Sequence, residues 1–148
     1  MTKIRIIVGS ETGTSLDVAD AIEETLKAQG LQVEVADNPK LSDLTADSDE
    51  VLLICTSSTG AGELPTNIRP MYGELLATPP NIASRRYGVI SLGDSSYETF
   101  GAAAKILDAA LEDIGAIRVG EPLQIDAMET FEPEKEALVW VAEWIQLL

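Results

Sequence analysis

The chain has 148 residues, with 10 Lys+Arg against 25 Asp+Glu and a formal net charge of -15. That length suits one domain, residues 1–148, with a full buried core, and 45% hydrophobic with 24% charged residues marks a globular chain rather than a disordered one. The charge argues against nucleic acid and anionic membrane as partners, since both are polyanions, and suits a basic protein, with an acidic surface that simply keeps the chain soluble as the competing reading.

Lys3 to Val8 reads as a strand. The turn GSETGTS follows, then a helix from about Ser15 to Gln29 with Val18, Ile22 and Leu26 on one face, stopped by Gly30. Leu31 to Ala36 is a second strand, and Val51 to Thr56 a third, apolar throughout and so expected at the centre of a parallel sheet. A polar loop runs to Pro65, with a short helix near Asn67 to Leu76. Tyr87 to Leu92 is a fourth strand, followed by a loop and a helix from about Phe100 to Ile114. Ile117 to Ile125 holds a fifth strand, broken near Glu121-Pro122, and Pro133 opens a last helix reaching Leu147. Strands alternating with helices predict an α/β fold, an open parallel sheet with helices on both faces. Ligands of such sheets bind beyond the carboxyl ends of the strands, where strand order reverses.

Absent residues narrow the chemistry. There is no histidine, which removes imidazole metal sites and every histidine-based catalytic arrangement. The single Cys55 lies in the apolar run VLLIC and reads as a core residue that forms no internal disulfide. The N-terminus has no long apolar segment of a signal peptide, and no stretch is apolar for long enough to span a bilayer. The expected location is the cytoplasm. No catalytic residue and no metal ligand set is expected.

Three loops fall at the ligand-binding edge. In the first, Ser10, Glu11, Thr12, Gly13, Thr14 and Ser15 join a strand to a helix N-terminus. Free N–H groups, a positive dipole end and four hydroxyls make a phosphate cradle that needs no cation. Gly13 permits the left-handed turn that aims successive N–H groups inward. A P-loop lysine after Gly13 and a GxGxxG spacing are both missing. A plain turn in which Ser or Thr caps the helix is the competing reading. The second loop is TSSTGAGELPTN, Thr56 to Asn67, whose Gly60 and Gly62 let backbone approach a flat ligand. The third, LGDSSYETFGAAAKILD from Leu92 to Asp108, puts Tyr97 at its tip, where it packs on its own loop or stacks on a planar ring.

Together the three loops resemble the flavodoxin family, over the entire chain and with the closest likeness to the small, MioC-like, short-chain members. The resemblance implies a doubly wound sheet of five parallel strands in the order 2-1-3-4-5, and FMN as cofactor. Carried over, Ser10, Glu11, Thr12, Gly13, Thr14 and Ser15 would hold the FMN phosphate. Ser57, Ser58, Thr59, Gly60, Ala61 and Gly62 would line one side of the isoalloxazine. Leu92, Gly93, Asp94, Tyr97, Phe100 and Gly101 would line the other, with Tyr97 stacked on the ring and Asp126 nearby. Many relatives supply an aromatic from the middle loop. This loop has none, and Thr59 with Leu64 stands in its place.

The resemblance implies a monomeric, low-potential electron carrier, shuttling single electrons from a basic NAD(P)H-dependent flavodoxin/ferredoxin reductase to an acceptor enzyme. Glu11, Glu63, Asp94, Glu98, Asp126 and Glu129 crowd the cofactor loops and are expected to disfavour a reduced, anionic flavin. Two alternatives are a flavin-dependent reductase of small molecules and an interaction module without FMN. A phosphate-acceptor receiver domain is disfavoured, because strand three ends in Cys55-Thr56-Ser57 rather than in an aspartate. Trp140 and Trp144, four apart on the last helix, are expected to pack in or beside the core.

Overall fold

A computed structural model describes residues 2–59, 62–96 and 101–148. Strand β1 spans Lys3–Gly9, β2 Gln32–Ala36, β3 Glu50–Ser57 and β4 Arg86–Gly93, and all pair in parallel. Two short strands, β5 (Ile117–Arg118) and β6 (Leu123–Asp126), both lie against β4. The sheet order is β2-β1-β3-β4 with β5 and β6 sharing the fifth position. The expected order therefore holds.

Alternation along the strands builds two cores. Leu52 and Ile54 of β3 face one side, with Ile7, Tyr87 and Val89. Helices α2 (Leu41–Thr45), α3 (Arg69–Ala77) and α4 (Ala102–Asp113) cover that side through Leu44, Met71, Leu75, Leu107 and Leu111. Val51, Leu53 and Cys55 face the other, under α1 (Thr14–Ala28) and α5 (Pro133–Trp144). Two buried faces explain why β3 is apolar at nearly every position. Val18, Ile22 and Leu26 of α1 are all fully buried, as their spacing predicts. Helix α2 escapes sequence reading because five residues make less than two turns and carry no period.

The break in the fifth strand falls where Pro122 withholds an N–H and Gly120 turns at φ 75°. The two tryptophans of α5 meet the carbonyls it frees. Trp144 Nε1 donates to the Val119 carbonyl at 3.0 Å, and Trp140 Nε1 to that of Glu121 at 3.1 Å. Their rings stack with centroids 5.4 Å apart. Gly88 on β4 makes room for them, since a Cβ there would meet the Trp144 ring at 2.6 Å.

Charge is distributed unevenly between the two ends of the sheet. At the amino edge Lys3, Arg5, Lys27, Arg85, Arg86 and Arg118, six of the ten cations, stand among the acids Glu23, Glu24, Asp47, Asp49, Glu50, Asp108, Glu112, Asp113 and Glu143. Several are paired: Lys3 with Asp47 at 3.0 Å, Lys27 with Glu23 at 2.9 Å, and Arg118 with Asp108. Arg5 grips Glu50, only 6% exposed, through two bonds of 2.9 and 3.1 Å. At the carboxyl edge Glu11, Asp37, Glu63, Asp94, Asp126, Glu129, Glu132 and Glu134 outnumber the nearby Lys40, Arg69, Lys105 and Lys135.

Candidate functional site

The turn after β1 is built from its own side chains. Gly13 adopts φ 95°, and its N–H donates to Ser10 Oγ at 2.8 Å. It is also the N-cap of α1, so no Ser or Thr side chain caps this helix, contrary to the competing reading. The Asp17 N–H already bonds the Gly13 carbonyl at 2.9 Å, leaving the earlier N–H groups of the first turn without intrahelical acceptors. Ser15 is wholly buried, and its hydroxyl has no hydrogen-bond partner among the described residues. Beneath it, Cys55 Sγ lies 3.5 Å from the Ser15 carbonyl, and burial pushes the pKa of that thiol up to about 12. Cys55 is therefore inert packing.

Asn67 anchors this turn, and its part was not read from the sequence. Its Oδ1 accepts the Ser10 N–H at 2.8 Å, while its Nδ2 donates to the carbonyls of Val8 and Asp37, each at 2.8 Å. One amide thus ties together the segments after β1, after β2 and after β3. Glu11 adds a second tie, accepting from both the N–H and the hydroxyl of Thr66. Those two bonds hold the Glu11 carboxyl below the usual carboxylate range. Both partners are tens of residues away in sequence, which is why no local pattern signals them.

Beyond the turn lies a cavity of about 540 Å³ at the carboxyl ends of β3, β4 and β6, within the range of small-ligand sites. Thr12, Thr14, Ser57, Ser58, Leu92, Gly93, Asp94 and Gly101 line it, all of them expected from the sequence. Ile125, Ala127, Thr130, Phe131 and Pro133 also line it, whereas the sequence points only to Asp126 and Glu129 in that region. Asp126 itself sits beside the cavity as a brace. Its Oδ1 accepts the N–H groups of Ser95 at 3.1 Å and Met128 at 2.9 Å. Hydrogen bonds from Ser95 first, then Met128, hold its carboxyl low.

Ser58 does double duty, because its Oγ also accepts the Ala103 N–H of α4 at 3.0 Å. Asp94 closes a small turn by accepting the Ser96 N–H at 2.9 Å. Gly101 is favoured as glycine by its φ of 74°, and a Cβ there would also push aside the Gln124 amide. Thr59, Gly62 and Glu63 form a tight turn, with the Thr59 N–H on the Glu63 carbonyl at 2.9 Å. Thr59 is not among the described lining residues, and Leu64 is buried in the core beneath α3 and α4. Glu63 is paired with Arg69 at 3.3 Å. The expectations for Gly60, Ala61, Tyr97, Glu98 and Phe100 lie outside the described residues.

Residues 6–140 match the family model described as flavodoxin. The chain belongs to the flavodoxin family. It is 46% identical to flavodoxin YqcA of Escherichia coli K12, over all of this chain and 99% of that protein. It is 35% identical to the MioC protein of the same organism, again over all of this chain and 99% of the relative. Among solved structures, a cysteine-to-alanine mutant of flavodoxin from Pseudomonas aeruginosa superposes with a TM-score of 0.91 at 36% identity, covering 99% of each chain. Flavodoxin 1 of Bacillus cereus follows at 0.84 and 25%, with the same coverage. Flavodoxins are FMN-binding electron-transfer proteins rather than enzymes in the usual sense, and they accept electrons from reductases. The cavity fits such a cofactor, with Thr12 and Thr14 of the hydroxyl turn and the helix start at one end, next to the orphaned buried hydroxyl of Ser15, and Leu92, Ile125 and glycine backbone at the other. Among the described residues no cluster could hold a metal ion, and no helix is long and apolar enough to cross a membrane.

Proposed function

We propose that this flavodoxin is a monomeric, single-domain, low-potential carrier in the cytoplasm, taking single electrons from a basic NAD(P)H-dependent flavodoxin/ferredoxin reductase to an acceptor enzyme through one bound FMN. The observation that carries the reading is the continuity of one cavity with a cation-free hydroxyl turn whose buried Ser15 Oγ is left without a partner. In this reading Ser10 to Ser15 hold the phosphate, with Thr12 and Thr14 reaching into the cavity and Ser10 and Glu11 keeping the turn rigid. Ser57, Ser58, Leu92, Gly93, Asp94 and Gly101 form the walls around the ring and its side chain, joined by Gly60, Ala61, Tyr97 and Phe100. Thr59 and Gly62 shape the middle loop, and Asp126 fixes the loop behind it. Bound FMN supplies stepwise one-electron chemistry.

The chain's own contribution is exclusion of water and a field of carboxylates. That field disfavours added negative charge and makes the reduced protein a strong donor. At about 10 Å in water-like surroundings, each unpaired carboxylate lowers the potential of the more reduced couple by on the order of 20 mV. Glu63, already paired with Arg69, contributes less than Glu129. Neutralising Glu98 and Glu129 together is expected to raise that potential by tens of millivolts, measured by spectroelectrochemical titration. A potential that stays put would remove the electrostatic account.

The direct test is the visible spectrum of purified protein, before and after FMN is added and the excess removed. A retained flavin spectrum supports the carrier. A protein that retains none under either condition would be an interaction module instead.

A further inference from the structure

We propose that Phe131 is a cofactor-binding residue, its ring closing over the exposed part of the flavin and shielding it from water. The inference rests on the FMN reading above. Phe131 is the one aromatic among the described residues lining the cavity at the carboxyl ends of the strands, and it is 99% exposed. A phenyl group at a cavity mouth with nothing packed on it gains from covering an apolar surface, and a flat conjugated ring is a favourable one. Exposed side chains change rotamer within nanoseconds, so closure needs no backbone motion. The residues from 57 to 67 across the site contain no Phe, Tyr or Trp that would compete for the same surface.

The backbone that presents Phe131 is held firmly. The Asp126 carbonyl accepts the N–H groups of Glu129 at 2.9 Å and Thr130 at 3.1 Å. The Ala127 N–H donates to the Gly93 carbonyl at 2.8 Å, tying the segment to β4 and the cavity wall. Thr130 Oγ1 accepts the Glu132 N–H at 3.0 Å, and Pro133 then fixes the entry into α5. Residue 131 is therefore delivered to the cavity mouth by a braced turn. Bracing lowers the ordering cost that binding would otherwise carry.

The rival fate of an exposed apolar residue here is contact with a protein partner, together with the neighbouring exposed Met128. One experiment separates the two. Wild type, F131A, F131Y and the control V139A, an exposed α5 residue outside the cavity lining, are titrated with FMN. Flavin fluorescence, its quenching by iodide and the melting temperature are followed. F131A is expected to bind FMN about tenfold more weakly, with the bound flavin more open to iodide. F131Y is expected to restore both, and V139A to change neither. Wild-type affinity and wild-type iodide quenching in F131A would overturn the proposal. So would a variant altered only in its rate of reduction by a reductase, which would make Phe131 a docking contact. A wild type that binds no FMN would instead overturn the underlying FMN reading, so the two failures are distinct.

Discussion

Ser15 is a small residue in a costly place, because a buried hydroxyl without a partner forfeits its hydration. Replacing it by alanine is expected to stabilise the FMN-free protein by about 1 kcal/mol and to weaken FMN binding about tenfold. Thermal melts and FMN titrations of S15A check the two opposite signs together. Glu11 and Asp126 give the loops a dependence on pH. Both carboxyls are held low in the folded protein by hydrogen bonds, Glu11 chiefly from the Thr66 hydroxyl and Asp126 chiefly from Ser95. Their contribution is complete above the unfolded carboxylate values of about 4 and is lost as pH falls through the lower folded values. The stability these two groups supply to the FMN-free protein is thus expected to be flat from neutrality to about pH 5 and to fall below roughly pH 4. Urea unfolding of E11Q against wild type across that range checks it, and a difference that already shrinks near neutrality would contradict this. The hydroxyls themselves were legible, since four of them in seven residues at a strand-to-helix turn is a local pattern. The braces were not. Asn67 and Ser58 act across long stretches of chain, and only the folded sheet brings their partners within reach.

At the scale of elements, the fifth strand shows what is gained by following each hydrogen-bonding group to its partner. Pro122 predicts a break, and a break leaves carbonyls that need donors. The pair Trp140 and Trp144 was read as packing, which Trp144, 2% exposed, bears out. Their second task, donating to Glu121 and Val119, became visible only once α5 was seen to cross the gap. Replacing Trp144 by phenylalanine removes the donor and part of the ring, and is expected to cost about 2 kcal/mol. The same change at the half-buried Trp140 should cost less than about 1 kcal/mol. Urea unfolding of both variants checks the ranking, which reverses if packing of the outer ring dominates. The parallel strands and long helices were legible because each carries a full period. The five-residue α2 carries none.

Across the whole molecule acids outnumber cations at both ends of the sheet, but six of the ten cations stand at the amino edge, so the carboxylates at the opposite edge are the less compensated and the net charge is also a dipole. In the carrier reading proposed above, a basic partner would be drawn to that edge, in an approach that is fast and transient rather than tight. Reduction by a basic reductase is expected to slow at least tenfold between about 20 and 300 mM salt, as screening shortens below 10 Å. Charge reversal at Glu129 should slow it at low salt, whereas reversal at Arg86 on the far edge should leave it unchanged. Stopped-flow rates decide between this and a contact governed by shape alone. The overall fold was legible because two apolar faces on one sheet dictate it. The polarity was not, because a composition of -15 does not say at which end the ions are compensated.

That polarity has a practical side at a conducting surface. Adsorbed on an electrode coated with ammonium-terminated thiols, the molecule would settle flavin-first, with its shortest tunnelling path toward the metal, and give a direct voltammetric wave. Tethered by a tag at its amino edge, the same protein would stand with that path pointing into solution, and the wave would vanish while its exchange with dissolved reductase persisted.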